Sequence, residues 1–169
     1  MAFDTSAGTV IGLTASSPST LDAAGYAALS FTLIGEVTQI TEFGREVSLV
    51  THQPMASRAT RKLKGSYNYG QVTVSMASDR LDAGQLLVLS LLNSDSDVIV
   101  WISTGAGDQS FHTAQLMSFK EMFGGVNDVT GAAVVFEIND LFEIGAASFP
   151  GGSTLLFTNP DNSILMGVI

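Results

Sequence analysis

Apolar and polar residues alternate with a period of two along much of the chain, which is typical of strands that bury one face. The alternation is clearest over residues 71–76 and 131–139, and it is weaker over 33–43 and 46–49. Residues 98–102 are apolar at every position, which predicts a strand buried on both faces. The pattern therefore predicts a mainly β fold.

One helix is predicted between these strands, over residues 82–93. Asp82 is a suitable N-cap, Gln85 stands three residues later as in a capping box, and Asn93 follows as a stop signal. The intervening run of leucine and valine is apolar on nearly every side. Such a run predicts a buried helix that packs across one face of the sheet.

Basic residues are concentrated in one short segment. Sixteen acidic residues outnumber seven basic ones, and the net charge is −9. Five of the seven bases nevertheless fall within residues 45–64, together with one acid, Glu46. Residues 51–64 contain Pro54 and lack periodicity, so they predict a long loop, and loops of more than about 12 residues are usually functional or disordered. This loop is either a solvated segment or a contact for an acidic surface on another copy.

The composition favours an obligate oligomer. Hydrophobic residues make up 46% of the chain and charged residues only 14%, against about 25% in a typical soluble domain. The longest apolar run, at 86–92, is much shorter than the stretch of about 18 residues that a spanning helix needs. The first residues also lack the basic segment of a secretory signal. We therefore expect no membrane insertion, and we expect apolar surface to be buried against other copies.

Candidate catalytic chemistry is sparse. The chain has no cysteine, and it contains no nucleophile elbow, Walker loop or His-Glu-x-x-His motif. The two histidines, His52 and His112, stand apart from any such pattern and are interpreted as structural. Residues 95–97 begin like a calcium loop, but the apolar residues that follow supply no oxygen ligands. We expect no enzymatic activity, no metal and no cofactor.

Five segments resemble, in order and spacing, those of the tail tube proteins of long-tailed bacteriophages, more closely the non-contractile type. They correspond to that family's N-terminal arm, first core strand, long loop with second hairpin, helix entry and approach to the last core strand. These segments are residues 7–26, 34–44, 61–74, 82–85 and 119–129.

The resemblance implies a tail tube domain over residues 1–140. That domain would comprise an N-terminal arm at 1–32, the basic loop at 51–64 and the helix at 82–93, followed by a C-terminal extension at 141–169. The implied protomer is a β-sandwich or partial barrel with one packed helix. Six protomers would join edge to edge into a ring with a continuous inner β-barrel.

Stacked rings would form a tube in the virion tail, assembled in the host cytoplasm. The implied partners are other copies, the tape-measure protein, and the tail terminator and distal or baseplate proteins. Double-stranded DNA would pass through the tube without tight binding. In this interpretation the basic loop contacts the neighbouring ring through Arg58, Arg61, Lys62 and Lys64.

A wall that conducts DNA is expected to lack basic residues, because phosphate neutralisation by lysine and arginine creates affinity. The polar strand faces meet this requirement, and the resemblance assigns them to the lumen, whereas periodicity alone is equally consistent with a solvent-facing side. The predicted lumen residues are Glu36, Thr38, Glu42, Glu46, Gln71, Thr73, Glu137 and Asn139.

A second class of function remains open from the sequence alone. A capsid decoration or tail-completion β-domain would form a closed ring or trimer but no long polymer. Only a tube protein needs complementary top and bottom faces, so electron microscopy of concentrated protein distinguishes the two.

Overall fold

A computed structural model describes residues 5–144, 157–158 and 164–165. The elements in chain order are β1 (Val10–Thr14), α1 (Ala23–Ala27), β2 (Thr32–Leu33), β3 (Val37–Ile40), β4 (Glu46–His52), β5 (Arg61–Asn68), β6 (Gln71–Ala77), α2 (Ala83–Leu91), β7 (Val98–Ser103), β8 (Gln109–Met122), β9 (Gly131–Ile144), β10 (Phe157–Thr158) and β11 (Ile164–Leu165). The fold is mainly β, as the alternation predicts.

Seven strands form one antiparallel sheet in the order β2-β1-β7-β8-β9-β6-β3, which curls into a half-barrel. Strands β8 and β9 are each 14 residues long and join two halves of the sheet, one formed with β2, β1 and β7 and the other with β6 and β3. Their register shifts twice, between Thr113 and Ala114 and between Leu116 and Ser118. Such bulges bend the strands and increase their twist, which allows two long strands to follow the curl.

The main core lies on one face of this sheet and draws side chains from both halves. Val72, Val74 and Met76 of β6 are buried there, and the alternating apolar residues of β9 face them. Val88 of α2 completes this core, with Leu87 packed beside it.

A second, aromatic core lies on the opposite face of the β1–β7–β8 half. Trp101 and Phe111 are buried there against Tyr26 of α1 and Phe31. Phe31 stacks on Trp101 with ring centroids 5.7 Å apart, and the Tyr26 and Phe111 rings stack at 5.0 Å. Both faces of β7 are therefore covered, as its continuous apolar sequence predicts.

Two boundaries differ from the sequence expectation. Residues 1–32 were expected to form an arm, but β1 lies inside the main sheet between β2 and β7 because its apolar residues pair with the buried strand β7. Residues 141–144 were assigned to the C-terminal extension, but they complete β9, and Phe142 stacks on Tyr26 at 5.1 Å. Most of the remaining extension lies outside the described residues.

Helix α2 begins after Asp82, whose carboxylate accepts a hydrogen bond from the Gln85 backbone N–H at 2.8 Å. The helix packs on the main core through one side only. Leu86 and Leu89 are 48% and 38% exposed, so the expectation of a helix buried all round is wrong. The half-barrel is open, and it covers one side of the helix but leaves the other exposed.

The buried side chain of Gln85 ties α2 to the strands. Its Nε2 donates to the carbonyl oxygen of Ala77 at 2.9 Å, and its Oε1 accepts from the Asp79 N–H at 3.0 Å. Replacing Gln85 with leucine leaves both backbone groups without these partners. We expect the free energy of unfolding to fall by about 3 kcal/mol. Urea denaturation measures this, and Gln53→Leu on an exposed position is the matched control. Equal stability of the two variants would contradict the assigned role.

Candidate assembly surfaces

The basic segment is a β-hairpin and not a long loop. Strands β4 and β5 pair antiparallel from Glu46 opposite Asn68 to His52 opposite Arg61, so only residues 53–60 connect them. The prediction of a long loop over residues 51–64 is therefore wrong. The pairing is invisible in the sequence because both faces of this hairpin are exposed, and no apolar side has to alternate.

The hairpin carries the clustered positive charges. Arg61, Lys62 and Lys64 project from β5, and Arg58 lies in the connection. At the root, the Arg45 guanidinium lies 5.0 Å from the centre of the Tyr67 ring, a cation–π arrangement. The structure therefore brings all four predicted inter-ring residues onto one exposed hairpin.

The same hairpin exposes apolar side chains. Leu49 is 64% exposed and Leu63 is 60% exposed, while Met55 in the connection is fully exposed. A two-stranded hairpin without further packing is at best marginally stable in water. These exposed groups are consistent with a hairpin that is completed by a partner.

A polar face lies on the side of β3, β6, β9 and the C-terminal half of β8 away from the main core. Gln71 of β6 stands directly opposite Glu137 of β9, and Thr73 stands opposite Val135. Directly opposed residues in an antiparallel sheet share a face. Three of the predicted lumen residues are therefore neighbours on one continuous surface.

The other predicted lumen residues lie outside the regular strand pairing of this face, at a bend, two bulges, a strand end and the hairpin. Glu36 occupies the bend before β3 with a positive φ of 56°. Thr38 falls within the register shift of β3, where its hydroxyl donates to the Ser75 carbonyl at 3.1 Å. Glu42 follows the end of β3, and Glu46 belongs to the hairpin. Asn139 falls at the bulge of β9, where its side-chain amide donates to the Asp97 carboxylate at 3.3 Å. The same carboxylate oxygen accepts from Gln115, which stands opposite Glu137.

Sequence reasoning missed a lysine on this polar face. One row of paired residues crosses four strands of this face. It runs from Lys120 of β8 through Ala133 of β9 and Ser75 of β6 to Gln39 of β3. The expectation that the face contains no base is therefore wrong. The bulge between Leu116 and Ser118 sets this register, and the alternation of Ser118, Phe119 and Lys120 is the local signal that points to it.

The sheet ends at β2 and β3, and among the described residues the β9–β6–β3 side of the sheet has a free edge at each of its two margins. Strand β3 is the last in the sheet order. A second free edge belongs to β8. Strand β7 pairs with β8 only as far as Ala114, so residues 115–122 of β8 pair with β9 on one side and have no strand on the other. An unpaired edge presents free backbone donors and acceptors to another strand.

Neither histidine belongs to a catalytic arrangement. His52 is exposed on β4. His112 is buried, its Nε2 lies 3.0 Å from the Ser110 hydroxyl, and its Nδ1 has no hydrogen-bond partner. Burial lowers the pKa of His112 to about 4, so the ring is neutral at pH 7. Over the described ranges, no three His, Asp or Glu side chains are grouped as metal ligands would be, and no helix has the length and apolarity to cross a membrane.

Comparison with solved structures finds this fold in components of phage tails and related injection systems. The chain aligns with a chain of the SPP1 tail tube at a TM-score of 0.57 and 17% identity, over 81% of this chain and 76% of that one. It aligns with a chain of the tail of an empty GTA particle, refined with C6 symmetry, at 0.58 and 11% identity, over 80% and 95%. A chain of the sixfold-symmetrised anti-feeding prophage baseplate aligns at 0.60 and 11% identity, over 86% and 98%.

No family model matches the sequence, and no curated protein matches it. At these low identities the structural likeness establishes the shared fold. The predicted protomer fold, a mainly β partial barrel with a packed helix, is confirmed.

Proposed function

We propose that this chain is the structural subunit of a tail tube. The observation that carries the proposal is the open half-barrel sheet, with its two free edges, in a fold shared with tube and baseplate components over 80% or more of the chain. A protomer of this shape leaves backbone groups unpaired at both edges until neighbours complete it.

Ring formation is proposed to join the free edge of β3 in one copy to the free segment of β8 in the next. Six copies would close the ring, in keeping with the sixfold symmetry of the GTA tail and the anti-feeding prophage baseplate. Closure through edges removes them, and each protomer contributes four strands to one inner barrel. The exposed backbone of both edges and the low charge content support this arrangement.

The polar face is proposed to line the lumen. Gln71, Thr73 and Glu137 then face the channel, together with Lys120. One lysine and one glutamate per protomer leave this wall close to neutral, and a neutral polar wall has little affinity for DNA. The proposed cargo is the tape-measure protein during assembly and double-stranded DNA afterwards.

Stacking of rings is proposed to use the hairpin. Its exposed basic and apolar side chains fit a contact with another copy, and the ends of the tube would meet terminator and distal or baseplate proteins. The proposed location is the virion tail, after assembly in the host cytoplasm.

Assembly is tested by reversing the charge of the hairpin. Replacing Arg61, Lys62 and Lys64 with glutamate is expected to leave the protomer folded, because all three are exposed, and to abolish tubes in electron micrographs. Replacing Ser96, which is exposed in the bend before β7 and lies outside the hairpin, by glutamate is the control and should leave stacking intact. Normal tubes from the hairpin variant would contradict its role in stacking. A closed ring or trimer from the unaltered chain at every concentration would identify a decoration or completion protein instead.

The lumen assignment is tested by Glu137→Lys in assembled tails. Adding a positive charge to each copy is expected to slow genome ejection, most of all at low salt, because each phosphate contact strengthens DNA binding as salt falls. Glu143→Lys is the control on the same strand, since the bulge puts Glu143 opposite Ser110 on the other face. Equal ejection rates for both variants at low salt would remove Glu137 from the channel wall.

A further inference from the structure

The hairpin and a second exposed apolar surface lie at opposite ends of strand β6. The hairpin root, at Asn68, precedes the first residue of β6, Gln71. The last residue of β6, Ala77, pairs with Gly131 at the start of β9, immediately after the β8–β9 turn. Seven strand residues separate these two ends by about 23 Å.

The turn end has its own cluster of exposed apolar side chains. Its parts are held together by one hydrogen bond, from the Ser78 N–H to the Thr130 carbonyl at 2.8 Å, and by the Arg80–Glu121 ion pair at 2.7 Å. We name it the turn surface, and its apolar members are Leu81, Met122, Phe123, Val126 and Val129.

These two surfaces account for most of the exposed apolar side chains in the described part of the protein. Five of the sixteen large exposed ones belong to the turn surface, and five more belong to the hairpin. Exposed apolar clusters of this kind mark interaction sites in soluble proteins. The hairpin members are Leu49, Val50, Met55, Leu63 and Tyr67.

The charges of the two surfaces are opposite. The hairpin, residues 46–68, has four bases and one acid, a net charge of +3. The turn surface is bordered by five acids and two bases, a net charge of −3, and Asp79 and Asp128 are exposed there. The five acids are Glu36, Asp79, Asp82, Glu121 and Asp128, and the two bases are Lys120 and Arg80.

We propose that the turn surface of one copy is the acceptor for the basic hairpin of the next copy along the tube. This inference rests on the proposed function and adds the partner surface of the hairpin. Donor and acceptor lie at opposite ends of β6, so the contact is head-to-tail, and a head-to-tail contact that does not close produces a filament. Apolar contact supplies the affinity, and charge complementarity supplies register and polarity.

A second copy fits the turn surface better than nucleic acid does. The acids bordering it repel phosphate, whereas the basic hairpin presents the opposite sign and matching apolar groups. Because every copy carries both surfaces, occupancy increases with assembly and needs no further component.

Cysteine pairing tests the contact directly, since the chain contains no cysteine of its own. Thr60→Cys marks the hairpin connection and Asn127→Cys marks the turn surface, and both positions are exposed. Under mild oxidation, assembled mixtures of the two variants should form disulfide-linked dimers, and the double variant should form ladders. Neither variant alone should cross-link, and Thr60→Cys mixed with Ser96→Cys is the control pair. Tubes that form without a Thr60–Asn127 cross-link would overturn the acceptor assignment and leave the tube function standing.

Charge exchange provides a second test. Asp79→Lys with Asp128→Lys, or Lys62→Glu with Lys64→Glu, should raise the concentration needed for stacking by about tenfold or more, which corresponds to about 1.4 kcal/mol. The quadruple variant should recover stacking, while circular dichroism checks folding. Loss of stacking in all three variants with folding intact would overturn the pairing, and absence of rings and tubes from the unaltered chain would overturn the proposed function itself.

Discussion

Trp101→Ala is expected to lower the free energy of unfolding by about 3–5 kcal/mol, the range for truncating a large buried aromatic side chain. Trp101 is 1% exposed and stacks on Phe31, and its indole N–H donates to the Gln109 side chain at 3.1 Å. Alanine would leave a cavity in the second core, where the surrounding strands are held by their ladders and collapse only partly.

The structural consequence extends to the N-terminal segment. Residues 20–31 are attached to the sheet mainly through aromatic packing, with Tyr26 and Phe31 on the same cluster as Trp101. Hydrogen exchange in this segment should therefore accelerate in the variant. Chemical denaturation gives the total loss, with Leu21→Ala as the control because Leu21 is 74% exposed. A loss no larger than that of the control would contradict the second core as a unit of stability.

The elements that the sequence predicted best are those with one buried face. Strand β6 alternates strictly, and β9 does so up to Ile138 apart from Ala133 and Val135, because one side of each strand packs in the main core. The N-cap of α2 could also be predicted from the sequence, because Asp82 accepts a hydrogen bond from the backbone of Gln85, only three residues away. In both cases a local pattern carried the information.

The features that sequence reasoning missed depend on distant contacts. The hairpin has no buried face, so its strands leave no apolar alternation. The bulges of β8 and β9 set which residues stand opposite one another, and the register after the β8 bulge places Lys120 on the polar face. Leu86 is exposed because the sheet is open on that side of α2, and the sequence of the helix itself does not reveal this.

The sequence revealed the charge cluster of the predicted inter-ring site but not the second surface that we propose it contacts. Clustering of Arg58, Arg61, Lys62 and Lys64 was visible in the sequence, and the structure unites them on one hairpin. The turn surface was not visible, because its parts come from segments about 40 residues apart, as the Arg80–Glu121 ion pair illustrates. Only the pairing of β6 with β9 and of β8 with β9 brings them together.

Acid is expected to destabilise the fold through His112. The ring is buried at 1% exposure, and its Nδ1 has no acceptor for a second proton. Burial lowers its pKa from 6.5 to about 4, so the folded state keeps the ring neutral while the unfolded chain takes up a proton at higher pH. Stability is therefore complete above the unfolded pKa of about 6.5 and is lost as the pH falls toward 4.

The expected loss is about 2 kcal/mol between about pH 7 and pH 5, from the linkage between proton binding and unfolding. His112→Leu removes the titrating group and should flatten this part of the profile of unfolding free energy against pH. Titration of carboxylates occurs in both proteins, so the difference between the two profiles isolates the histidine. Parallel profiles would mean that the ring gains a proton without cost, for instance by finding an acceptor in the folded state.

The residues around His112 determine which part of the fold loses stability first in acid. Val100 and Leu141 stand opposite it on the neighbouring strands, and the nearest acid by strand register is Glu143, opposite Ser110. Phe43 contacts the ring edge-on with centroids 4.8 Å apart, and it lies three residues before the hairpin. A charged ring would weaken this contact first. At pH 5, hydrogen exchange should therefore accelerate more in residues 41–46 than in β6, and His112→Leu should remove this difference.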